Sequence, residues 1–411
     1  MTTVAVIGGG LVGSAAAVWL LADGFDVTVF ERDPEARPAS TGNAGILNLP
    51  EISPLARPSI LASVPGWLLD PLGPLAVRAR DIPALTPWLA RFVYSARPAQ
   101  VARATAALGF IMKTALVDHQ ELARRAGLPL YMRRNGSLYL YDTDAIYRGA
   151  LAEWKQRARY GVDYQEVSVA DARAMVPALK GGFERALVTP DQWSVTSPLE
   201  ILLGLRKAVS ARGKLLTATV ESVRADGDKV AVVTADGTAT PFDRVLIAGG
   251  VWSRDLVRKL GFRVLLEAER GYNTTFADPG FTIEMSVFFS AHGFVASPLN
   301  EGLRIGGAVE LAAVDAPPNF ARAAAMRAKA RRYFPDLPEA GGKEWMGARP
   351  ATPDSLAVIG PSPKDPRIVF AFGHGHLGLT LSAATARHVA GLIAGIPRDR
   401  NLEPFGIERF Q

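Results

Sequence analysis

Three glycines spaced as G-x-G-x-x-G, Gly8, Gly10 and Gly13, stand between a β-branched run and a run of helical period. The first run is Thr3-Val4-Ala5-Val6-Ile7; the second carries Leu11, Ala15, Val18 and Trp19. Asp26-Val27-Thr28-Val29-Phe30 follows and ends at Glu31. Strand, turn, helix, strand and acid in this order are suited to holding a dinucleotide. Gly8 permits the tight turn, Gly10 lets the backbone approach a pyrophosphate, and Gly13 lets helix and strand pack closely. The helix N-terminus offers unbonded N–H groups and the positive end of its dipole. Glu31 is placed to accept hydrogen bonds from a ribose, and Glu31 followed by Arg32 fits an unphosphorylated ribose better than NADP. A second glycine-rich strand-to-helix turn, Gly373-His374-Gly375-His376-Leu377-Gly378-Leu379-Thr380, follows an apolar run and forms another cradle for an anion or a ring edge.

The elements that must position these residues come from distant stretches. Arg37 to Ile46 is dominated by small residues and suits a loop pressed against a flat ligand. Residues 50–98 are rich in Pro and apolar side chains, including Trp67, Leu68, Leu69, Leu72 and Trp88, and read as short helices and loops: a packing layer, or a surface that touches a membrane or lines a channel. Helices are predicted over Val101 to Ala126, Asp144 to Tyr160, Pro198 to Ala211, Asn319 to Phe334 and Leu381 to Ala394. Lys214 to Val223 reads as one strand, and Arg244 to Ile247 as a buried strand breaking at Gly249-Gly250. Between Tyr272 and Ala308 short alternating runs recur as in an antiparallel sheet. The nucleotide-binding pattern therefore starts the chain, is interrupted, resumes near Thr196 and returns at the C-terminus.

Composition narrows the field. At 411 residues, with 48 % hydrophobic and 21 % charged residues, the chain is globular and long enough for two domains. The absence of cysteine excludes disulfides, thiol chemistry, a cysteine-linked flavin and iron–sulfur ligation. No run of eighteen apolar residues marks a membrane span. The first apolar segment has no basic prefix and is a strand, so no signal peptide is expected and the expected location is cytoplasmic. The net charge of +6 is scattered, without the basic stripe of a nucleic-acid binder. The two tail histidines have no clustered carboxylate or third histidine, so no metal site is expected.

Several of these motifs together resemble the FAD-dependent D-amino acid oxidase/dehydrogenase superfamily. They are the N-terminal G-G-G-L-V-G with Glu31, the Asn43-Ala44-Gly45 loop, Gly347-Ala348-Arg349-Pro350 with Thr352-Pro353-Asp354 and Ile359-Gly360, and the G-H-G-H-L-G-L-T tail. Trp67-Leu68-Leu69-Asp70 and Pro71-Leu72-Gly73-Pro74-Leu75 extend the resemblance toward bacterial D-amino acid dehydrogenases, including the D-proline and D-hydroxyproline branch. The implied fold is α/β: a Rossmann-type, glutathione-reductase-like FAD-binding domain (1–49, 190–262 and 343–411) and an α+β substrate domain built on an antiparallel sheet (50–189 and 263–342).

The resemblance implies roles for particular residues. Gly8, Gly10, Leu11, Gly13, Glu31 and Arg32 belong to the ADP half of FAD. Asn43, Ala44, Gly45 and Ile46 line the isoalloxazine. Val220 touches the adenine through its backbone, with Gly249 and Trp252 packed near the dinucleotide. Gly375, Leu377, Gly378, Leu379 and Thr380 present backbone N–H groups to the flavin edge. Arg349 pairs with the substrate carboxylate, as a guanidinium fork can. Tyr272, in Arg270-Gly271-Tyr272, adds a hydroxyl to that site, although related dehydrogenases often carry Lys where this chain has Arg270. His292 and His374 are further candidates for the pocket.

The implied reaction is hydride transfer from the alpha carbon of a D-amino acid to flavin N5, from the neutral amine and without an obligatory side-chain base. Electrons then pass to a quinone or another carrier, with peripheral contact on the cytoplasmic side of the inner membrane. The alternatives are an oxygen-using glycine/sarcosine-type amine oxidase, a 2-hydroxy acid as substrate, and a non-catalytic flavin-bearing subunit of a larger assembly.

Overall fold

The first strand, β1 (Thr3–Ile7), sits at the centre of a sheet and is buried on both faces. Its alternation shows why: Val4 and Val6 enter one apolar core, Ala5 and Ile7 another. In the computed structural model, which describes residues 1–33, 35, 38–70 and 72–411, β1 pairs in parallel with β2 (Asp26–Glu31) and with Arg244–Ile247. Lys214–Thr217 extends the sheet beyond β2; Ile368–Phe372 and Val358–Pro361 extend the other side. Only the outermost pair, 358–361 with 368–372, is antiparallel. Arg37 of the small-residue loop and Pro71 of the proline-rich segment lie outside the described residues.

One face of this six-stranded sheet is covered by α1 (Leu11–Ala22) and the helices Pro98–Ala126, Pro198–Arg212 and Gly378–Ile393. Helix α1 lies between the sheet and this layer, so Ala15 to Leu20 are all buried and no polar stripe develops. The long helix starts at Pro98 rather than Val101. Proline suits its first turn, where an N–H is unneeded, and Gly127, at φ +65°, closes it in a left-handed cap. The other face packs against a three-stranded antiparallel sheet (Val220–Asp226, Lys229–Thr234, Ala239–Phe242) and the helix Ser253–Lys259.

The single strand expected over 214–223 is therefore two. Ala218 donates its N–H to the Glu31 carbonyl, Thr219 accepts from Ala235, and the chain changes sheets between them. The expected helix 319–334 is shorter, Ala321–Ala330, because Tyr333 and Phe334 turn into the core beyond it.

The second large sheet has nine strands and begins at Lys343–Ala351, which pairs along its length with Glu267–Phe276. Gly302–Leu311, Phe294–Leu299, Ser286–Phe289, Ser137–Tyr141, Arg185–Thr189 and Gln165–Val167 follow in that order. Residues 343–351 were grouped with the dinucleotide-binding region above; their hydrogen bonds instead make them an edge of this sheet, and the chain re-enters the parallel sheet only at Val358. The sheet is mixed rather than purely antiparallel, since 286–289 runs parallel to 137–141 and Leu75–Val77 parallel to 309–311. In the proline-rich region the helix Pro58–Leu68 buries none of its residues. Its last residue, Leu68, is exposed, as are Leu69 and Leu72 just after it. No helix among the described residues is long and apolar enough to cross a membrane.

Gly13 is the tightest point of the βαβ turn: a Cβ there would stand 1.9 Å from the Gly8 carbonyl oxygen. Gly13→Val forces α1 off β1. Overpacking of this kind costs about 1–3 kcal/mol. The expected result is a lower Tm in thermal melts and a lower flavin-to-protein absorbance ratio after purification; an unchanged ratio and Tm would contradict this account of the turn.

Candidate active site

A cavity of about 690 Å³ is lined by residues of both large sheets. At one end stand Gly8, Gly10 and Leu11, at the start of α1. Gly8 adopts φ +107° against Ala248 and Gly249 of the neighbouring strand end, a conformation that L side chains avoid. The Glu31 carboxylate accepts the Gly9 N–H at 2.8 Å and the Asp33 N–H at 3.2 Å. Arg206, from the distant helix 198–212, braces this corner: its Nε donates to the Gly9 carbonyl at 2.8 Å and its Nη2 lies 3.6 Å from Glu31. Arg32 stacks over the Trp252 ring at 3.6 Å, forming a cation–π wall. Val220 and Gly249 complete this end, at the places where two strands break.

The middle is bounded by the 39–46 loop and the glycine-rich tail. Asn43, Ala44 and Ile46 reach the cavity. Gly45 lies behind them and donates its N–H to Asn43 Oδ1 at 2.9 Å. The loop is tied to the second sheet by Arg304, whose Nη1 donates to the carbonyls of Thr41 and Asn43 at 3.1 and 2.6 Å, and by Asn273 Nδ2, which donates to the Gly42 carbonyl at 2.9 Å. Trp345 packs across Gly42 and Gly347, where any Cβ would collide with its ring.

On the tail, Gly375, Gly378 and Leu379 border the cavity, and the helix starts at Gly378, earlier than the predicted Leu381. Leu377 is buried in the helical core, and Thr380 Oγ1 accepts the Asn48 N–H at 3.0 Å. Beneath this helix start lies His119. Its Nε2 is 3.0 Å from the Leu379 carbonyl and 3.2 Å from that of Thr380, and its Nδ1 is 2.9 Å from the Tyr131 hydroxyl.

At the far end Arg349 lies against Gly271, where a Cβ would sit 2.4 Å from its Nη2. Its Nη1 donates to Glu269 Oε1 at 2.9 Å. His376 borders the same space, and Phe288 and Val295 supply an apolar wall. Phe288 is stacked on Tyr139 with ring centroids 4.4 Å apart. Burial lowers the pKa of the His376 imidazole; Glu269 and Glu51 oppose that shift, while Arg349 and Arg57 add to it.

Of three further candidates, Tyr272 and His374 border the cavity as expected but engage their polar atoms elsewhere, and His292 does not border it. The Tyr272 hydroxyl donates to Glu310 Oε2 at 2.5 Å and accepts from the Asn319 N–H, so it is turned to the face opposite Arg349. His292 follows the Phe289 strand end, with its Nε2 3.1 Å from Asp142, and does not border the cavity. His374 borders the cavity, but its Nε2 is engaged at 3.1 Å with Thr385 Oγ1 on the helix behind. Glu269, Arg206 and His119 were missed. Each acts on a group more than seventy residues away in the chain, and no local motif marks any of them.

The cavity suits FAD. Positions where a Cβ would project from Gly10, Gly250 and Gly375 meet no protein atom, so the backbone is open to a ligand at both cradles. The volume lies in the range of cofactor pockets. The family model described as FAD dependent oxidoreductase matches residues 3–392. The chain belongs to this family. Within the FAD-dependent oxidoreductases it is 34 % identical to a D-amino-acid oxidase of Bradyrhizobium diazoefficiens, covering 99 % of this chain and 98 % of that one. It is 33 % identical to a D-amino acid dehydrogenase of Paramagnetospirillum magneticum with the same coverage. The structure of a glycine oxidase from Geobacillus kaustophilus aligns over 99 % of both chains with a TM-score of 0.76 at 22 % identity, a likeness of fold. The protein is thus an FAD-dependent oxidoreductase of the D-amino-acid oxidase/dehydrogenase type.

Two buried histidines, His119 beneath the tail and His374 on it, are expected to make this oxidoreductase acid-sensitive. Burial pushes His119 and His374 down from 6.5 to about 4 each. In that interval the unfolded chain binds protons that the native state refuses, so stability is whole above pH 6.5 and is lost as pH falls toward 4. The loss amounts to about 2 kcal/mol per histidine by pH 5. Melts of the holoenzyme from pH 4.5 to 8 should show Tm falling steeply below pH 6.5, with flavin release; a flat Tm across that range would contradict the buried, neutral state of these rings.

Proposed function

We propose that this enzyme oxidises D-amino acids to imino acids, which deaminate on hydrolysis when acyclic, with D-proline and D-4-hydroxyproline, whose cyclic imines keep their nitrogen, as leading candidates, and passes electrons to a quinone or another carrier. The observation that carries the reading is Arg349, held against Gly271 at one end of a cavity whose other end has the βαβ glycine turn. A guanidinium edge matches a carboxylate with two parallel hydrogen bonds. Phe288, Val295 and Pro350 make the adjoining wall apolar, which favours an uncharged side chain or an aliphatic ring over a basic or acidic one.

Bound FAD supplies the two-electron acceptor. Gly8, Gly10, Gly13 and Leu11, with the start of α1, hold its pyrophosphate, Gly13 by keeping helix and turn in contact. Glu31 takes the ribose, and Arg32 with Trp252, Val220 and Gly249 enclose the adenosine end. The Asn43–Ile46 segment lies along the ring, Gly45 by shaping the loop from behind. Gly375, Gly378 and Leu379 present the ring edge with backbone N–H groups, which Leu377 and Thr380 keep in place. Arg349 orients the substrate carboxylate and so determines which face of the alpha carbon meets the ring. His376, uncharged at neutral pH, adds no competing positive charge for that carboxylate. His374 holds the tail to its helix, and Tyr272 and His292 support the strands that carry the pocket. Relatives named dehydrogenases support a carrier as acceptor, and the unburied helix 58–68 with Leu68, Leu69 and Leu72 supports a peripheral contact with the membrane holding it. Oxygen is the second reading, favoured by the relative named an oxidase.

Anaerobic bleaching of the flavin by a D/L amino-acid panel that includes proline and 4-hydroxyproline epimers tests the proposal. Bleaching by D-isomers with slow recovery in air is the expected result. Fast recovery with peroxide formation would move the acceptor to oxygen, and no bleaching by any amino acid would sink the substrate class. Arg349→Lys keeps the charge but loses the fork. A lost charge-assisted hydrogen bond is worth about 1.5–3 kcal/mol, so kcat/KM should fall on the order of a hundredfold, most of it in KM, with flavin content unchanged.

A further inference from the structure

Glu269 and Arg349 are direct register partners on adjacent strands; Arg349 borders the cavity, and the Glu269 carboxylate lies behind it, joined to its Nη1 at 2.9 Å. The Glu269 side chain is 7 % exposed and that of Arg349 is 26 % exposed. Among the described residues, Arg349 is the cation that lies within ion-pair distance of Glu269. The carboxylate holds Nη1, while the opposite part of the fork, with Nη2, lies over Gly271. The clamp is consequently a +/− pair rather than a bare cation. The neighbouring His376 is held toward its neutral form by burial and does not restore a positive excess.

This arrangement treats two kinds of carboxylate differently. A ligand whose only charge is its carboxylate is attracted by Arg349 and repelled by Glu269 a few ångströms further on. An α-amino acid carries an ammonium one carbon away from its carboxylate, and its own dipole can run antiparallel to that of the pair. Then each ligand charge faces the protein charge of opposite sign. Like charge placed against a competitor is a recognised source of selectivity.

We propose that Glu269 is the specificity-determining residue that makes this site select zwitterionic α-amino acids over monoanionic 2-hydroxy and 2-oxo acids of the same side chain. The inference rests on the reading of Arg349 as the carboxylate clamp. It has a consequence for turnover. For an acyclic substrate, hydrolysis of the imino acid to the 2-oxo acid releases the nitrogen as ammonia, so the carboxylate that favours the substrate disfavours the 2-oxo acid product. Hydroxy acids with a matching side chain are excluded by charge rather than by shape.

The experiment is a pair of anaerobic stopped-flow titrations of the FAD-loaded enzyme at pH 7: the concentration dependence of flavin reduction gives the apparent Kd of a reacting amino acid, and perturbation of the flavin absorbance gives that of a non-reacting ligand. D-lactate and the D-2-hydroxy acid matching the best amino-acid ligand are compared with D-alanine and that amino acid. For the wild type, each hydroxy acid should bind at least about tenfold more weakly than its amino acid, the scale of one like-charge contact at a partly solvated site. Glu269→Gln keeps an acceptor for Arg349 Nη1 and removes the charge. In it, hydroxy-acid binding should tighten while amino-acid binding weakens, closing the gap. A merely structural role for Glu269 would weaken both classes together, and that result overturns the proposal. If the variant does not retain flavin, the wild-type gap decides: equal affinities overturn the proposal and a gap of tenfold or more supports it. Binding without oxidation, with the gap present, would sink the proposed reaction and leave the charge selection standing. Oxidation of amino acids without a gap would do the reverse.

Discussion

The contact between Gly13 and the Gly8 carbonyl oxygen governs where everything else can stand. A helix can lie this close to the turn that precedes it only if one residue on its inner face has no side chain. Once α1 is there, its N-terminal N–H groups point into the space at the end of β1, and that space becomes an anion site. The same close approach buries α1 nearly all round, so three further helices must cover it. Those helices come from residues 98–126, 198–212 and 378–393, which is why the chain returns to the first domain after each excursion. Arg206 and His119 are carried in on two of them and brace the two glycine cradles from behind.

The second sheet supplies what the first cannot. Its strands 267–276 and 343–351 are paired residue for residue from Glu267–Ala351 to Thr275–Lys343, and that register sets Glu269, Gly271 and Asn273 beside Arg349, Gly347 and Trp345. A shift of one residue would move the arginine to the other face. Asn273 and Arg304 then fasten the 39–46 loop to this sheet, so that loop and Arg349 are held by one rigid element. Preorganisation of this kind is what an orienting site requires, since the donors need not be gathered when the ligand arrives.

The same two-residue period explains the residues that sequence motifs misplaced. Tyr272 is one position away from Gly271, and on a strand one position is the opposite face. Its hydroxyl therefore goes to Glu310, beside the buried Arg270, and helps to hold the strand 302–311. That strand bulges at Ala308, which sits at φ +47°, and brings Gly306 and Gly307 to the cavity in place of bulkier side chains. His374 lies on the tail that borders the cavity, yet its ring is drawn under the tail by Thr385. A motif names the residue, but the direction of the side chain depends on which partner is across the sheet or behind the helix.

The nucleotide-binding half was legible in the sequence because its signal is local. The glycine triplet, the two apolar strands, the helical run and Glu31 all fall within thirty-one residues, and each works through backbone geometry that the residue type itself dictates. The G-H-G-H-L-G-L-T turn is local in the same sense, as was the α/β class with a second sheet. The break at Ala218–Thr219, the membership of 343–351 in the second sheet, and the pairing of Glu269 with Arg349 were decided only in three dimensions. They depend on hydrogen bonds between segments up to 187 residues apart, Ala218 with Glu31, and no closer than 68 in the 267–276 and 343–351 pairing, for which no spacing in the sequence carries information. Chain chemistry thus determined that a dinucleotide could be held. Tertiary register determined which charges surround the molecule held beside it, because strand partners are chosen by packing between sheets and not by neighbours along the chain.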